Sequence, residues 1–163
     1  MDAVKRVAYL GPAGTNTEVA AIQFYPSATH VPYLTIGAIA ASVASGDVDA
    51  GLAAIENSLQ GTITDTVDAL IRDEAIAVCG EIVLAIQHCL MAAPGTRREA
   101  IDVIYSHPQS LGQCRRYLEA NFPRARTEAA LSNAVAVEIA MKTPAAAAIG
   151  PARAAQIYGA EIL

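Results

Sequence analysis

The chain has 163 residues, of which 53% are hydrophobic and 17% are charged, and its formal net charge is −5. This length is enough to bury a core, either as one domain or as two small lobes. The acidic balance and the absence of tryptophan argue against a nucleic-acid-binding protein, which needs a basic face and aromatic side chains that stack on bases.

Apolar strand-like runs alternate with segments of helical spacing along the whole chain. Strands are predicted at residues 7–10, 31–34, 50–55, 76–91, 103–105, 126–130, 145–149 and 161–163. Helices are predicted at residues 15–25, 36–45, 62–72, 109–121, 134–142 and 151–158, and a short one near Glu99. This alternation is typical of an α/β protein with mixed, mostly parallel sheets. A change of pattern near residues 74–78 predicts two α/β lobes, residues 1–75 and residues 76–163.

No apolar run approaches the roughly 20 residues that a membrane-spanning helix needs, so we expect no membrane association. The first residues lead directly into a predicted strand rather than into a signal peptide. Cys79, Cys89 and Cys114 are widely spaced and form neither a CxxC pair nor a zinc-binding pattern. We therefore expect free thiols, no metal and a cytoplasmic protein.

Three polar turns follow predicted strands and precede predicted helices. They are GPAGT at residues 11–15, ENSLQG at residues 56–61 and SHPQSLGQC at residues 106–114. Backbone N–H groups and the dipole of a helix N-terminus attract anions at such turns. The first turn lacks the GxGxxG spacing of a dinucleotide site. Together the turns indicate a cleft that binds a small, negatively charged molecule.

Each polar side chain in these turns has a binding role and a purely structural alternative. Asn57 and Ser58 can donate hydrogen bonds to a carboxylate, or they can cap the helix that follows. Thr15 offers a hydroxyl to a ligand, or it caps a tight turn. Gln109 and Ser110 stand at a helix start, where anion binding is favoured over proton transfer.

Two further residues leave the same choice open. His107 is a candidate general acid or base near neutral pH, although a lone histidine in a turn is more often only a hydrogen-bonding group. Ser132 is a good N-cap residue and also a candidate ligand at a helix start. His88 lies in an apolar stretch and is read as incidental.

These turns, in this order, resemble the prephenate dehydratase family over nearly the whole chain. The matching segments are VAYLGPAGT at residues 7–15, IENS at residues 55–58, SHPQSL at residues 106–111 and the stretch at residues 147–159. The resemblance implies a two-lobed fold like that of type II periplasmic binding proteins. It implies conversion of prephenate to phenylpyruvate, water and carbon dioxide, without metal or organic cofactor, in a homodimer or homotetramer.

The resemblance also implies which residues meet the substrate. Those that would line the cleft between the lobes are Thr15, Asn57, Ser58, Gln109, Ser110 and Ser132. The chain departs from the family pattern at four positions. The family usually has phenylalanine or a similar residue in place of Asn16, and serine in place of Thr17. It often has glutamate in place of Gln60, and usually threonine in place of Asn133. The family's Thr-Arg-Phe motif, which holds its leading candidate for the catalytic hydroxyl, would follow residue 163, as would a regulatory domain that binds phenylalanine.

Because that motif is missing, we expect a C-terminally incomplete catalytic domain that binds prephenate weakly and converts it slowly or not at all. A second hypothesis is a non-catalytic module that binds a small dicarboxylate. A third is a prephenate decarboxylase-like enzyme, whose product would keep its ring hydroxyl. The sequence does not separate prephenate from arogenate as the substrate.

Overall fold

A computed structural model describes residues 4–59 and 61–163 of the chain, so the prediction that concerns Gln60 lies outside the described residues. The chain forms two compact units. The first contains the described residues up to Pro12 together with Asn16–Leu84, and the second contains Ala13–Thr15 and Ala85–Leu163. No helix in the described part is long and apolar enough to cross a membrane.

The first unit is built on a three-stranded parallel sheet. Its strands are β1 (Arg6–Leu10), β2 (Thr29–Tyr33) and β3 (Ala50–Leu52), in the order β2-β1-β3. Its helices are α1 (Asn16–Phe24), α2 (Ile36–Ala44) and α3 (Thr64–Arg72). A two-stranded hairpin, β4 (Glu56–Asn57) and β5 (Gly61–Thr62), precedes α3. The central strand β1 is apolar because it is buried on both faces, whereas β2 tolerates Pro32 because it is an edge strand.

The second unit is built on a five-stranded mixed sheet in the order β10-β6-β9-β7-β8. Its strands are β6 (Cys89–Ala92), β7 (Val103–Ser106), β8 (Arg126–Ala129), β9 (Ala146–Gly150) and β10 (Glu161–Ile162). Its helices are α4 (Pro108–Asn121), α5 (Asn133–Lys142) and α6 (Ala152–Tyr158), with a 3-10 turn at Arg98–Ala100. Strand β7 is parallel to β8 and β9, and β6 is antiparallel to β9 and β10.

Small side chains bring α5 and α6 close to this sheet. Every residue of β9 is buried, and three alanines of α5 and two of α6 are buried as well. The alanines that pack in this core are Ala136, Ala140, Ala146, Ala148, Ala154 and Ala155. The alanine-rich composition is therefore a packing feature, because large side chains would hold the helices away from the sheet.

The predicted strand over residues 76–91 is wrong for most of its length. Only β6, at the end of this stretch, is a strand, and residues 76–88 have no regular secondary structure. Their apolar residues favour an extended chain, but a strand also needs a hydrogen-bonding neighbour, and none pairs with this segment among the described residues. Val83 is consequently 93% exposed. The sequence also did not predict the β4–β5 hairpin. Strand β3 ends at Leu52 rather than at residue 55, and α3 begins at Thr64 rather than at residue 62.

The first unit extends beyond residue 75, where the sequence predicts its end, because Cys79 and Gly80 contact residues at the end of α1. Gly80 lies against the ring of Phe24, because a Cβ at Gly80 would stand 2.8 Å from Phe24 Cζ. The Sγ atom of Cys79 lies 3.8 Å from the Tyr25 hydroxyl. Desolvation by burial, with a smaller contribution from this hydrogen bond, raises the pKa of Tyr25. These contacts explain why residues 76–84 group with the first unit.

Asp49 joins β1 to the turn before β3, and this contact should be sensitive to pH. Asp49 Oδ2 accepts hydrogen bonds from the backbone N–H groups of Arg6, at 2.8 Å, and Lys5, at 2.7 Å. These bonds, that of Arg6 first, lower the pKa of Asp49 below its ordinary 3.8. The unfolded chain therefore binds the proton more readily than the folded chain, and the contribution of Asp49 to stability is lost as pH falls from about 4 through the lowered pKa.

We expect the free energy of unfolding of the first unit to decline over this acidic range more steeply in the unsubstituted chain than in Asp49→Asn. Denaturant titrations at several pH values between about 2 and 6 measure the difference. Asp68→Asn is the control, because it removes an exposed carboxylate that pairs with the exposed Arg72 on α3 at 3.4 Å. Identical pH profiles for Asp49→Asn and the unsubstituted chain would contradict the assignment.

Candidate functional site

The turn at residues 106–110 connects β7 to α4 and is held by side-chain caps. Pro108 occupies the first turn of α4, where its fixed φ suits a helix start and its missing N–H is not needed. His107 is the N-cap, and its Nδ1 accepts a hydrogen bond from the Gln109 N–H at 3.3 Å. This bond requires an unprotonated Nδ1 and leaves Nε2 as the proton-bearing atom of a neutral ring. Ser106 and Ser110 are both buried.

The side chain of Asn133 is the centre of this turn. Asn133 Oδ1 lies 3.0 Å from Ser106 Oγ, 3.1 Å from Ser110 Oγ and 3.2 Å from the His107 backbone nitrogen. Ser106 Oγ also lies 2.8 Å from the carbonyl oxygen of Ile149, so its single proton is shared between two acceptors. One amide oxygen thus accepts hydrogen bonds from both the end of β7 and the start of α4.

Ser132 acts as the N-cap of α5, as the sequence predicts. Its Oγ accepts a hydrogen bond from the Val135 N–H at 3.1 Å, and its backbone is extended, as an N-cap residue requires. The hydroxyl proton of Ser132 is not needed for this cap. Ser132 directly precedes Asn133 in the chain, and the side chain of Asn133 contacts Ser110.

Gln109 and His88 have polar side-chain atoms that are buried but unpaired. Gln109 Nε2 and His88 Nδ1 have no hydrogen-bond partner within residues 4–59 and 61–163. The other ring nitrogen of His88 bonds to Oε1 of Gln113, one helical turn after Gln109 on α4. His88 therefore contacts the helix that carries the third polar turn, and reading it as incidental missed this contact.

The second polar turn is the tip of the β4–β5 hairpin. Asn57 Oδ1 accepts a hydrogen bond from the Leu59 N–H at 3.0 Å, which is the local turn contact that asparagine favours. Asn57 Nδ2 has no hydrogen-bond partner in the described part of the chain, so its two protons are available to a ligand. Ser58 is exposed beside it. At the start of α3, Thr66 Oγ1 donates to the Ala54 carbonyl at 2.6 Å.

The first polar turn divides between the two units. The Gly11 N–H donates to the Tyr33 carbonyl at 2.9 Å, and Thr17 Oγ1 donates to the Leu10 carbonyl at 2.7 Å, both within the first unit. Thr15 is half-buried and groups with the second unit, beside Gly14. A Cβ at Gly14 would lie 3.3 Å from the Cβ of Ala134, so glycine permits this close approach.

The chemistry of these residues is that of neutral hydrogen bonding. Cys79, Cys89 and Cys114 are free thiols, and burial raises the pKa of Cys114, which keeps that thiol protonated and a poor nucleophile. Over residues 4–59 and 61–163, no three His, Cys, Asp or Glu side chains cluster in a way that could hold a metal ion. Amide and hydroxyl donors at strand ends suit a ligand that carries carboxylates.

Comparison with known proteins gives the same family as the sequence motifs. The family model for prephenate dehydratase matches residues 7–163. A bifunctional chorismate mutase/prephenate dehydratase of Stutzerimonas stutzeri is 39% identical over 155 residues, which are 94% of this chain and 42% of that protein. The chloroplastic arogenate dehydratase 3 of Arabidopsis thaliana is 38% identical over 160 residues, which are 97% of this chain and 38% of that protein.

A solved structure agrees with these relatives. The prephenate dehydratase of Arthrobacter aurescens, in complex with L-Phe, superimposes with a TM-score of 0.88 at 28% sequence identity, covering 97% of this chain and 53% of that one. This similarity confirms the predicted α/β fold of the type II periplasmic-binding-protein kind. The chain spans less than half of the two curated relatives and about half of the solved one. With a family match over nearly its whole length, the chain belongs to the prephenate dehydratase family.

Proposed function

We propose that this chain is the catalytic domain of a prephenate dehydratase, which converts prephenate to phenylpyruvate, water and carbon dioxide in phenylalanine biosynthesis. Membership of the family carries the proposal. The polar turns support it, because prephenate bears two carboxylates and these turns offer neutral donors and helix N-termini. A cytoplasmic location and a homodimer or homotetramer belong to the same proposal.

The reaction sets two tasks for the protein. The bond from the ring to its carboxylate breaks and releases carbon dioxide, the electron pair enters the ring, and the ring hydroxyl departs. The hydroxyl needs a proton to leave as water, and aromatisation of the ring then supplies the driving force. The protein must therefore fix the carboxylates and place a proton donor near the departing oxygen.

Asn57 is the residue best suited to hold a carboxylate in the first unit. The Leu59 N–H fixes the orientation of its amide, so Nδ2 is presented without a competing partner among the described residues. Among the residues of the second unit, Gln109 Nε2 is an unpaired donor of the same kind. His107 presents its Nε2 proton as a candidate donor to the departing hydroxyl. Thr15, Ser58 and Ser132 are proposed to contribute hydroxyl groups.

Ser110 has a different proposed role from the one its position in the motif implies. It is only 4% exposed, and its hydroxyl donates to Asn133 Oδ1. Its proton is therefore engaged inside the protein. We therefore assign Ser110 to the support of the turn. Toward a ligand, its hydroxyl oxygen can only accept a hydrogen bond, and the donors at this position are the backbone N–H groups at the start of α4.

The test is conversion of prephenate by the purified chain, with phenylpyruvate followed by its absorbance in alkali. We expect Asn57→Asp to lower kcat/KM by about tenfold or more, because aspartate keeps the oxygen that the Leu59 N–H needs but loses both amide protons and repels a carboxylate. Asn121→Asp is the matched control, since Asn121 Nδ2 donates to the Tyr117 carbonyl on the exposed end of α4, away from the polar turns.

Other outcomes select the other hypotheses. Prephenate binding without product would agree with the slow or absent conversion expected above, or with a non-catalytic module that binds a dicarboxylate. A product that keeps its ring hydroxyl, identified by mass spectrometry, would make it a decarboxylase-like enzyme. Conversion of arogenate in preference to prephenate would change the substrate. Equal activity of Asn57→Asp and the unsubstituted chain would remove Asn57 from the site.

A further inference from the structure

We infer that Asn133 is a positioning residue, whose amide oxygen holds the turn at residues 106–110 in the geometry that catalysis requires. The inference rests on the proposed function and adds a residue that departs from the threonine usual at this position in the family. Its basis is the convergence of Ser106 Oγ, Ser110 Oγ and the His107 N–H within 3.2 Å of one atom.

The orientation of the Asn133 amide follows from its partners. A backbone N–H can only donate, so the atom that faces the His107 nitrogen must be the amide oxygen and not the amide nitrogen. The two serine hydroxyls could satisfy either atom, but the backbone group decides between them. Asn133 therefore acts on this turn as an acceptor, and a side chain that only donates could not replace it.

The surroundings of Asn133 make this contact possible. Asn133 is the first residue of α5, directly after its N-cap Ser132. A Cβ at Gly150 would lie 3.4 Å from Asn133 Cβ, an ordinary van der Waals distance, so the end of β9 and the start of α5 are close neighbours. Strands β7 and β9 are parallel, and their carboxyl ends meet at the same edge of the sheet. Ligand sites of open α/β sheets form at such edges.

Loss of the Asn133 oxygen would leave the buried Ser110 hydroxyl and the part-buried His107 N–H without this acceptor. The hydroxyl of Ser110 is enclosed, and the His107 N–H has no other acceptor in the described residues. An unpaired buried donor costs about 1–3 kcal/mol, so the turn would rearrange to satisfy it. The rearrangement would move the His107 ring and the start of α4, and misplacement of reacting groups by about 1 Å can cost about 100-fold in rate.

The experiment compares two substitutions that separate positioning from general stability. Asn133→Ala removes the acceptor, and we expect kcat/KM for prephenate to fall by about tenfold or more, mainly through kcat, at a temperature where the variant is fully folded. Asn133→Asp retains the acceptor at a helix N-terminus that favours a negative charge, and we expect it to keep kcat/KM within about threefold of the unsubstituted chain. The same replacement of asparagine by aspartate is therefore expected to preserve kcat/KM at residue 133 and to lower it at residue 57.

Thr143→Ala is the matched control at the other end of α5. Its Oγ1 donates to the Ile139 carbonyl at 2.8 Å, so the substitution removes a hydrogen bond from the same helix without touching the turn. We expect it to lower the melting temperature and leave kcat/KM unchanged. If Asn133→Ala behaves in the same way, its role is structural and the inference is wrong.

The remaining outcomes are equally decisive. Loss of activity in Asn133→Asp as large as that in Asn133→Ala would show that the amide protons matter, and would overturn the assignment to the oxygen. Failure of the unsubstituted chain to bind prephenate would overturn the proposed function, and the inference with it. An active unsubstituted chain whose kcat/KM is insensitive to Asn133→Ala would overturn the inference alone.

Discussion

Replacement of Ile104 by alanine is expected to lower the free energy of unfolding of the second unit by about 2–5 kcal/mol. Ile104 is 0% exposed in β7, which lies between β8 and β9, and it packs with Leu90, Leu118 and Ile149. The truncation removes apolar contacts and leaves a cavity that a sheet buried on both faces cannot close. Because whole domains are stable by only about 5–15 kcal/mol, this is a large fraction.

The loss should be confined to the second unit. Denaturant titration measures its size, and hydrogen exchange of the β7 and β9 amides, compared with those of β1, measures its location. Ile71→Ala is the matched control, because Ile71 is 74% exposed on α3. We expect that substitution to change stability by less than about 0.5 kcal/mol. Equal effects of the two substitutions would contradict the assignment of Ile104 to the core.

Gly14→Val, in the first polar turn, is expected to be strongly destabilising. Gly14 has a φ of +90°, which costs a β-branched residue about 1–2 kcal/mol or more. A Cβ at Gly14 would also lie 3.3 Å from both Ala134 Cβ and Ala154 Cα, which belong to packed helices. The two effects add, because the backbone cannot relax without moving against α5 or α6. Over-packing of this kind adds about 1–3 kcal/mol.

Gly95→Val separates these two effects. Gly95 lies in the same unit and has a φ of +79°, but nothing stands within 4 Å of the position its Cβ would take. We expect this variant to show the conformational cost alone, and Gly14→Val to have the lower melting temperature of the two. Thr15 follows Gly14, so Gly14→Val should also weaken prephenate binding more than Gly95→Val. Equal melting temperatures would show that the turn yields to the added side chain.

The elements that could be predicted from the sequence are those whose ends carry local signals. Ser132 caps α5, as expected, Pro108 opens α4 one residue before the predicted start, and Gly159 ends α6 with a φ of +69°. Each signal acts through the backbone of its own few residues. The stretch at residues 76–88 could not be predicted in this way, because an extended segment becomes a strand only when another strand lies beside it.

The candidate site shows the same division. The polar turns were found because their residues are contiguous, whereas Asn133 reaches partners that lie 23 to 27 positions away. One local signal could have directed attention to it, since asparagine is a poor helix former that occupies the first position of α5. The contact of His88 with α4 was also out of reach, because nothing in the sequence around His88 indicates which helix covers it. The roles of the site residues remain predictions.

The order of strands in the second unit also bears on how the chain is synthesised. Strand β6 leaves the ribosome before either of its neighbours, since it pairs with β9 and then with β10. The first unit can close its parallel sheet as soon as β3 has emerged, whereas Leu90 and Met91 must wait unpaired and apolar while α4, β8 and α5 are made. Such a strand is open to association with other nascent chains. We therefore expect the apolar side chains of β6 to need shielding during the interval between the synthesis of β6 and that of β9.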